Sequence, residues 1–412
     1  MTARNLVAAL DLGSSKTVAL LAEIGSEGHP VVVGVGQVRS VGLRRGMVVD
    51  IEEAARGAAR AMAQACQMAG VGPAAVAVSF TGPHVLTLQN RGVVAVVNPH
   101  REIGPEDVSR VLQAAQVANI PPDRQLLHVL PCQYLVDGYD GIVDPTGMAG
   151  SRLEVEATLV LAAATSVQNL GKVMDRAGIP PAVRELVFSG LASAEAVLLP
   201  AEREVGVLLV DIGGGATEYA VFQRGNLREA GVVPVGGEYI TSDLAVGLRI
   251  PLPSAEEVKR RHGCVLAGSQ PDDEFVEVPD IGGEKLKAVS RRMLATIIEP
   301  RVQEILNLVR QKLGAKSPGY LLPGGAVLTG GTAALPGMAQ LAAQVLEMPV
   351  RIGYPPVLEG VADLVRGPEY ATAVGLLYHG ARLLARPEAA ASVEPLGSGW
   401  LGRFWSWLKD FF

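Results

Sequence analysis

Two stretches of the chain share one pattern that limits what the protein can fold into. Residues 7–21 read VAALDLGSSKTVALL and residues 206–222 read GVLLVDIGGGATEYAVF. In each, an apolar run typical of a buried strand ends at an aspartate, passes through glycine and small residues, and resumes as a second apolar run. The repeat predicts two strand-turn-strand units, and therefore two related α/β domains.

The two turns have the composition of a phosphate-binding backbone. A strand that stops at aspartate and turns through glycine and serine presents N–H groups that no side chain blocks. The residues predicted to hold phosphate oxygens are Gly13, Ser14, Ser15 and Lys16 in the first turn and Gly213, Gly214 and Gly215 in the second. Asp11 and Asp211 are predicted to face one shared Mg²⁺. One such turn is common in α/β proteins, whereas two facing turns would clamp a single nucleotide.

A third motif indicates where the base and ribose of that nucleotide would lie. Residues 326–331 read AVLTGG, an apolar strand that ends at Gly330 and Gly331 and leaves room for a flat base. Residues 255–260 place Glu256 and Lys259 three positions apart on one helical face, from which they could reach ribose hydroxyls and adenine. A solvated surface ion pair is the alternative interpretation of these two residues.

Composition narrows the class of protein. A chain of 412 residues is too long for one hydrophobic core of ordinary size, so we expect two or more domains. Its residues are 49% hydrophobic but only 4% aromatic, a composition that favours α/β packing built from small aliphatic side chains. The net charge of −6 predicts no nucleic-acid partner. No secretion signal or 20-residue apolar run is evident, so we expect the chain to act in the cytoplasm.

The cysteines and histidines show no metal-binding or disulfide pattern. Cysteines 66, 132 and 264 are far apart and lack a CxxC or Cys/His cluster, so they are predicted to be buried thiols. The histidines predicted to be structural, because they lack ligand spacing, are His84, His100, His128 and His262.

These motifs resemble those of the actin, hexokinase and heat-shock chaperone ATPase superfamily over about residues 5–384. Within it the chain is similar to the FtsA family of bacterial cell division proteins, through segments such as RGMVVDIE, HVLPCQYLVDG, SGLASAEAVL and IEPRVQEILNLV. The resemblance implies an α/β, actin-like ATPase fold of duplicated RNase H-like domains, with ATP and Mg²⁺ as cofactors. It also implies an inserted FtsA-type 1C subdomain and a C-terminal amphipathic helix.

The resemblance divides the chain into subdomains. It implies subdomain 1A (1–83, 164–204 and a closing helix at 369–384), 1C (84–163), 2A (205–241 and 309–368), 2B (242–308), a linker (385–399) and the amphipathic helix (400–412).

ATP turnover is predicted to be weak or negligible. Actin-like proteins supply a glutamine or glutamate that orients the attacking water, and Gly190 occupies the matching position here. Glu195 lies five residues further on, at a spacing that places it on another face of the helix. Asp211 is the remaining candidate catalytic residue, positioning water or the metal.

The last 13 residues have the composition of an interfacial membrane helix. They hold all three tryptophans of the chain and are too short to span a bilayer. The residues predicted to enter the lipid are Trp400, Leu401, Phe404, Trp405, Trp407, Leu408, Phe411 and Phe412. The alternative is a helix docked in a groove of the body, which the preceding linker disfavours.

Residues 285–307 are predicted to form a basic helical stretch in an otherwise acidic chain. By similarity to FtsA proteins, Lys287 and Arg301 match positions that contact the C-terminal peptide of FtsZ, and Arg291 and Asn307 are added as neighbours. A solvated basic face is the alternative.

The function that the resemblance implies is that of an adaptor at the division septum, on the cytoplasmic face of the membrane. It would bind ATP, assemble with itself into protofilaments, tether FtsZ filaments to lipid and recruit later divisome proteins through residues 84–163. One alternative is a PilM-like scaffold of a pilus machine, which has no evident need for a tryptophan-rich anchor. The other is a small-metabolite kinase, for which no catalytic aspartate motif is found.

Overall fold

The computed structural model describes residues 5–25, 28–97, 102–117, 120–271, 273–282, 285–316, 321–361 and 365–384. The predicted linker (385–399), the predicted terminal helix (400–412) and His100 lie outside these residues.

The first domain begins with an antiparallel meander followed by a helix and a further strand. Its elements are β1 (Leu6–Leu12), β2 (Lys16–Ile24), β3 (Pro30–Arg39), β4 (Leu43–Arg44), β5 (Met47–Val48), α1 (Ile51–Ala69) and β6 (Ala75–Phe80). The face of α1 towards the sheet is built from alanines. A side chain on Gly36 of β3 would lie 1.9 Å from the carbonyl oxygen of Ala61, so glycine permits this close packing.

A separate small sheet follows, in the region predicted as an inserted subdomain. Its elements are β7 (Leu86–Ala95), α2 (Pro105–Gln116), β8 (Arg124–Val136), β9 (Tyr139–Ile142) and β10 (Arg152–Ala163), with the strand order β7-β10-β8-β9. Pro105 begins α2, where its missing N–H costs nothing. The insertion also contacts the second domain, since the Thr158 hydroxyl donates to the Leu227 carbonyl at 2.7 Å.

The chain then returns to the first domain and crosses to the second. The elements are α3 (Ala164–Arg176), β11 (Arg184–Phe188), α4 (Ser189–Val197), α5 (Pro200–Val205), β12 (Val207–Ile212), β13 (Thr217–Gln223) and β14 (Asn226–Val233). The short helix α4 is buried almost throughout and connects the two sheets.

A helical region with one hairpin forms the outer part of the second domain. Its elements are α6 (Gly237–Leu248), α7 (Leu252–His262), β15 (Phe275–Pro279), β16 (Leu286–Ser290) and α8 (Arg291–Lys316). The prediction that residues 285–307 are helical is wrong for its first part. Residues 286–290 pair with β15 as a strand, and the helix begins at Arg291.

The last described elements complete both sheets. They are β17 (Ala326–Thr329), α9 (Met338–Leu346), β18 (Val350–Ile352), β19 (Glu359–Gly360) and α10 (Ala371–Leu384). No helix in these described parts of the chain is long and apolar enough to cross a membrane.

The two sheets have the same plan. The first has the order β11-β6-β1-β2-β3-β19 and the second the order β18-β17-β12-β13-β14. In both, a central strand pairs antiparallel with the strand after the Asp-Gly turn and parallel with a later strand. The duplication predicted from the two sequence motifs is therefore confirmed at the level of topology.

The cysteine prediction holds in part. Cys132 and Cys264 are buried thiols, whereas Cys66 is only partly buried on α1.

Candidate functional site

The two repeated turns have the same backbone geometry. In the first, the N–H of Gly13 donates to the carbonyl of Lys16 at 3.1 Å. In the second, the N–H of Gly213 donates to the carbonyl of Ala216 at 3.0 Å. Each turn therefore closes a tight loop at the end of a buried strand, and Lys16 gives the first turn a positive charge that the second lacks.

The two turns face and touch each other. A Cβ atom on Gly214 would lie 2.0 Å from the Ser15 hydroxyl oxygen, and one on Gly215 would lie 2.3 Å from that of Ser14. The Ser15 hydroxyl also donates to Glu238 in the second domain at 3.1 Å. A phosphate group placed between the turns therefore requires them to separate.

Three carboxyl groups lie behind the turns. Asp11 and Asp211 are at the ends of β1 and β12, and Glu218 is directly opposite Asp211 in the β12-β13 pair. Burial, with a smaller contribution from nearby Asp211, raises the pKa of Asp11 to about 6, although a hydrogen bond with Ser79 and the charge of Lys16 lower it. Burial together with Asp211 raises the pKa of Glu218 to about 8. The raised pKa values show that negative charge is unfavourable here, so a bound cation would stabilise the ionised carboxylates.

Sequence reasoning missed Glu218. Its carboxylate accepts a hydrogen bond from the Thr81 hydroxyl of the first domain. Directly opposed residues of an antiparallel pair point to the same side of a sheet. An acidic residue seven positions after Asp211, across a four-residue turn, is the signal that could have revealed it.

Helices α4 and α10 hold Asp211 in place. The Ser193 hydroxyl of α4 and the Thr372 hydroxyl of α10 both donate to Asp211 Oδ2, the second at 3.2 Å. Because these two hydroxyls are also within 2.9 Å of each other, the carboxylate is held at the crossing of the two helices. The sequence gives no local signal for this contact, since 161 residues separate Asp211 from Thr372.

The Lys16 side chain packs against an aromatic ring. Its ammonium lies 3.5 Å from the centroid of the Tyr370 ring, and the Tyr370 hydroxyl donates to Gln37 at 2.9 Å. Burial lowers the pKa of Lys16 to about 8, although Glu369 and Asp11 favour its charged form. A phosphate would supply the close negative charge that a buried lysine needs.

The predicted adenosine residues lie against the second turn. The Lys259 ammonium donates to the Gly237 carbonyl at 3.0 Å and to Glu256 at 2.6 Å. Its side chain is only 10% exposed, so Lys259 is not part of a solvated surface pair. A Cβ atom on Gly330 would lie 2.3 Å from Asp211 Oδ1, and Gly331 follows directly. The structure thus places these residues close to the second turn and to Asp211.

The donor set fits a magnesium ion that is bound together with a nucleotide. Mg²⁺ in nucleotide sites usually takes one or two carboxylates and completes its shell with phosphate oxygens and water. Asp11 and Asp211 provide two such carboxylates. Within the described residues, no group of three or more acidic, histidine or cysteine side chains is arranged to hold a metal by protein ligands alone.

Gly190 is the residue that the resemblance places at the water-orienting position. Gly190 lies buried in the first turn of α4, where a Cβ atom would meet the Phe188 ring at 2.7 Å. Glu195 is paired with Arg203 and Arg382, each at 3.4 Å, and borders a small cavity with His128 and His379. Glu195 is therefore engaged in a structural ion-pair group.

The residues predicted to bind a partner lie on β16 and α8. Lys287 donates to the Leu248 carbonyl at the end of α6, and Arg291 pairs with Glu274 at 2.7 Å. Arg301 pairs with Asp243 at 2.6 Å and also with Glu304, while Asn307 is exposed on α8. The three cations are already paired with acceptors, so an acidic partner would have to compete for them.

Comparison with known proteins identifies the family. A family profile described as "Cell division protein FtsA" matches residues 208–375, and one described as "SHS2 domain inserted in FTSA" matches residues 82–161. The cell division protein FtsA of Pseudomonas aeruginosa is 41% identical over 375 residues, which cover 91% of this chain and 89% of that protein. The chain belongs to the FtsA family of cell division proteins.

Other relatives agree with this assignment. The FtsA protein of Escherichia coli is 37% identical over 100% of this chain and 99% of its own length. That of Bacillus subtilis is 40% identical over 93% of this chain and 85% of its own length. The similarity to FtsA proteins therefore extends over nearly the whole chain.

Solved structures confirm the actin-like ATPase fold. A PilM-PilN type IV pilus biogenesis complex matches with a TM-score of 0.63 and 20% identity, covering 92% of this chain and 99% of that one. MreB5 of Spiroplasma citri bound to ADP matches with a TM-score of 0.54 and 13% identity, covering 90% and 94%. At these identities the likeness concerns the fold alone.

Proposed function

We propose that this FtsA-family protein binds ATP in the cleft between its two turns and links FtsZ filaments to the cytoplasmic membrane at the division septum. The observation that carries the proposal is the contact between the two turns, with Gly330 beside Asp211, in a chain that belongs to this family. Identities of 41% with an FtsA protein and 20% with the PilM complex favour division over a pilus scaffold.

The nucleotide would be held from both domains. The N–H groups of residues 13–16 and 213–215 would receive phosphate oxygens, and Lys16 would neutralise part of their charge. Asp11 and Asp211 would hold Mg²⁺, which supplies charge neutralisation to the triphosphate. Glu256, Lys259, Gly330 and Gly331 would border the adenosine.

Turnover would be slow for a structural reason. Gly190 offers no side chain at the place where related ATPases orient the attacking water, and Glu195 is occupied by two arginines. Asp211 is the residue that can position water or the metal, because Ser193 and Thr372 fix its carboxylate. ATP would therefore act mainly as a ligand that sets the conformation.

The outer face of the second domain would receive the acidic C-terminal peptide of FtsZ. Phe275 and Leu286 on the β15-β16 hairpin are 63% and 65% exposed. Leu286 directly precedes Lys287, and Phe275 is paired with Ser290, the residue before Arg291. Exposed apolar side chains beside cations suit a peptide that combines acidic and apolar residues. Arg301 and Asn307 would extend this surface along α8.

The C-terminal residues 400–412 would attach the protein to lipid. Their apolar side chains would lie in the bilayer interface, each buried CH₂ contributing about 0.8 kcal/mol before ordering costs. One such helix gives reversible attachment, and a protofilament that presents many would bind through avidity. Subdomain 1C would provide the surface for later divisome proteins.

Co-sedimentation with vesicles tests the proposal directly. Full-length protein with ATP should carry an FtsZ tail peptide to the lipid pellet, and Arg291→Glu should reduce the bound peptide about tenfold while lipid binding persists. The matched control is Lys312→Glu, an exposed cation near the other end of α8. If the peptide stays in the supernatant while the unaltered protein pellets with the vesicles, the proposed tethering function is wrong.

A further inference from the structure

One aromatic side chain lies between the nucleotide cleft and the proposed peptide surface. Tyr239, near the start of α6, has the guanidinium of Arg45 at 5.2 Å from its ring centroid and that of Arg301 at 5.5 Å. Arg45 belongs to the first domain and Arg301 to α8 of the second. Both cations are within the distance at which a ring attracts them, so two like charges share one aromatic partner.

Arg45 lies against both turns. The N–H of the next residue, Gly46, donates to the Ser14 hydroxyl at 3.3 Å. A Cβ atom on Gly215 would lie 2.9 Å from the backbone nitrogen of Arg45. Arg45 also adopts a left-handed backbone with φ of 52°, which is uncommon for a residue with a side chain. When phosphates part the two turns, Arg45 must move relative to Tyr239.

The start of α6 is tied to the same turns. The N–H of Gly237 donates to the Gly213 carbonyl at 2.9 Å, and the N–H of Glu238 donates to the Gly214 carbonyl at 2.8 Å. Tyr239 is the next residue and Asp243 follows one helical turn later. The ring therefore keeps its place relative to the second turn while Arg45 moves with the first.

Arg301 receives its orientation from α6. Asp243 accepts from Arg301 Nε at 2.6 Å and from Nη2 at 3.0 Å, a two-point contact that fixes the plane of the guanidinium. Tyr239 and Asp243 thus hold the cation at which the proposed acidic peptide would bind. A peptide carboxylate that draws Arg301 away leaves the Tyr239 ring to Arg45.

We propose that Tyr239 is a positioning residue through which ATP and the acidic peptide oppose each other. Peptide binding withdraws Arg301, strengthens the Arg45–Tyr239 contact and favours the closed turns, which weakens ATP binding. ATP parts the turns, withdraws Arg45 and leaves Arg301 held by the ring. This inference rests on the proposed function for the identity of the two ligands. Cation–ring contacts of about 0.5–1 kcal/mol correspond to a two- to five-fold mutual effect.

The test measures ATP affinity in a double-mutant cycle, which needs no peptide. Arg301→Gln should lower the affinity for fluorescent ATP about two- to five-fold in the full-length protein. In the Tyr239→Leu background the same change should have no effect, whereas Tyr239→Phe should preserve it because the ring remains. The inference is overturned if Arg301→Gln changes ATP affinity equally in the Tyr239 and Tyr239→Leu backgrounds. It is also overturned if Arg301→Gln has no effect on ATP affinity when Tyr239 is present.

A second arm separates this inference from the proposed function. FtsZ tail peptide should bind two- to five-fold more weakly in the presence of ATP, and Tyr239→Leu should remove the difference. If the peptide does not bind while the ATP cycle shows coupling, the peptide assignment is wrong and the Tyr239 coupling stands. If the peptide binds and ATP affinity shows no coupling, the proposed function stands and the Tyr239 coupling is overturned.

Discussion

Ser14 of the first turn and Gly215 of the second are so close that a methyl group added to Gly215 would lie 2.3 Å from the Ser14 hydroxyl oxygen. The contact joins two sequence repeats that belong to different domains. It shows that the glycine run of the second turn serves close approach of the two halves of the cleft, at the place where phosphates are proposed to bind.

The first prediction concerns this contact. Gly215→Ala should destabilise the ATP-free fold by about 1–3 kcal/mol, because the methyl group would overlap Ser14 and the backbone of Arg45. It should also lower ATP affinity about tenfold or more, because the methyl group would block the backbone N–H groups that are proposed to receive phosphate oxygens. Calorimetric ATP titration and thermal unfolding would measure both effects. Gly72→Ala, where nothing lies within 4 Å of the new Cβ, is the control. Unchanged affinity in Gly215→Ala would contradict phosphate binding between the turns.

The second prediction is a slow single-turnover rate. With no side chain at Gly190 to orient water, ATP cleavage should be on the order of 10⁻³ s⁻¹ or slower. Asp211→Asn should remove the residual activity, since Asp211 is the candidate for positioning water or metal. Glu195→Gln is the matched control, because Glu195 is paired with two arginines, and it should leave the rate unchanged. A rate typical of an efficient ATPase, several per second, would refute this prediction.

The third prediction concerns membrane attachment. Deleting residues 400–412 should release the protein from vesicles in a flotation assay, because these residues supply the proposed apolar contact with lipid. Lys409→Gln should float as the full chain does, since attachment is expected to depend on apolar burial. Vesicles with and without anionic lipid should bind nearly alike, because Asp410 offsets part of the charge of Arg403 and Lys409. Flotation of the deleted protein would show that lipid contacts another surface.

The fourth prediction concerns pH. The Phe188 N–H donates to His128 Nε2 at 3.0 Å, and burial, with His379 nearby, lowers the pKa of His128 to about 4. The unfolded chain therefore binds a proton at His128 more readily than the folded chain does. The contribution of His128 to the free energy of unfolding is fully present above about pH 6.5 and is lost as the pH falls towards 4. We call this loss of unfolding free energy at low pH the acid limb. In urea unfolding series, His128→Gln should make the acid limb smaller by up to about 3 kcal/mol.

The control for that series is His262→Gln on α7, which leaves the hydrogen bond from Phe188 intact and should retain the acid limb. Glu185 faces His379 at 3.3 Å and favours the charged form of His128, so it is kept unchanged in both variants. An acid limb of the same size in His128→Gln would show that other groups cause the acid sensitivity.

Local patterns predicted the two related turns and a small inserted subdomain at residues 84–163, and the sharing of one metal by Asp11 and Asp211 stays a prediction. The two turns were predictable because each strand, its aspartate and the glycine two positions later lie in one short segment of the chain. Glu218 and Thr372 were missed because their roles depend on strand register and on a helix crossing formed by distant segments. The strand at 286–290 was missed for a similar reason, since its pairing with 275–279 is what makes it a strand.

The structure of the full-length protein with ATP and Mg²⁺ tests the central proposal most directly. We predict a triphosphate between residues 13–16 and 213–215, with Asp11 and Asp211 directed at the metal and the base near Gly330. A cleft that stays closed, with Ser14 against Gly215 and the nucleotide bound elsewhere, would contradict it.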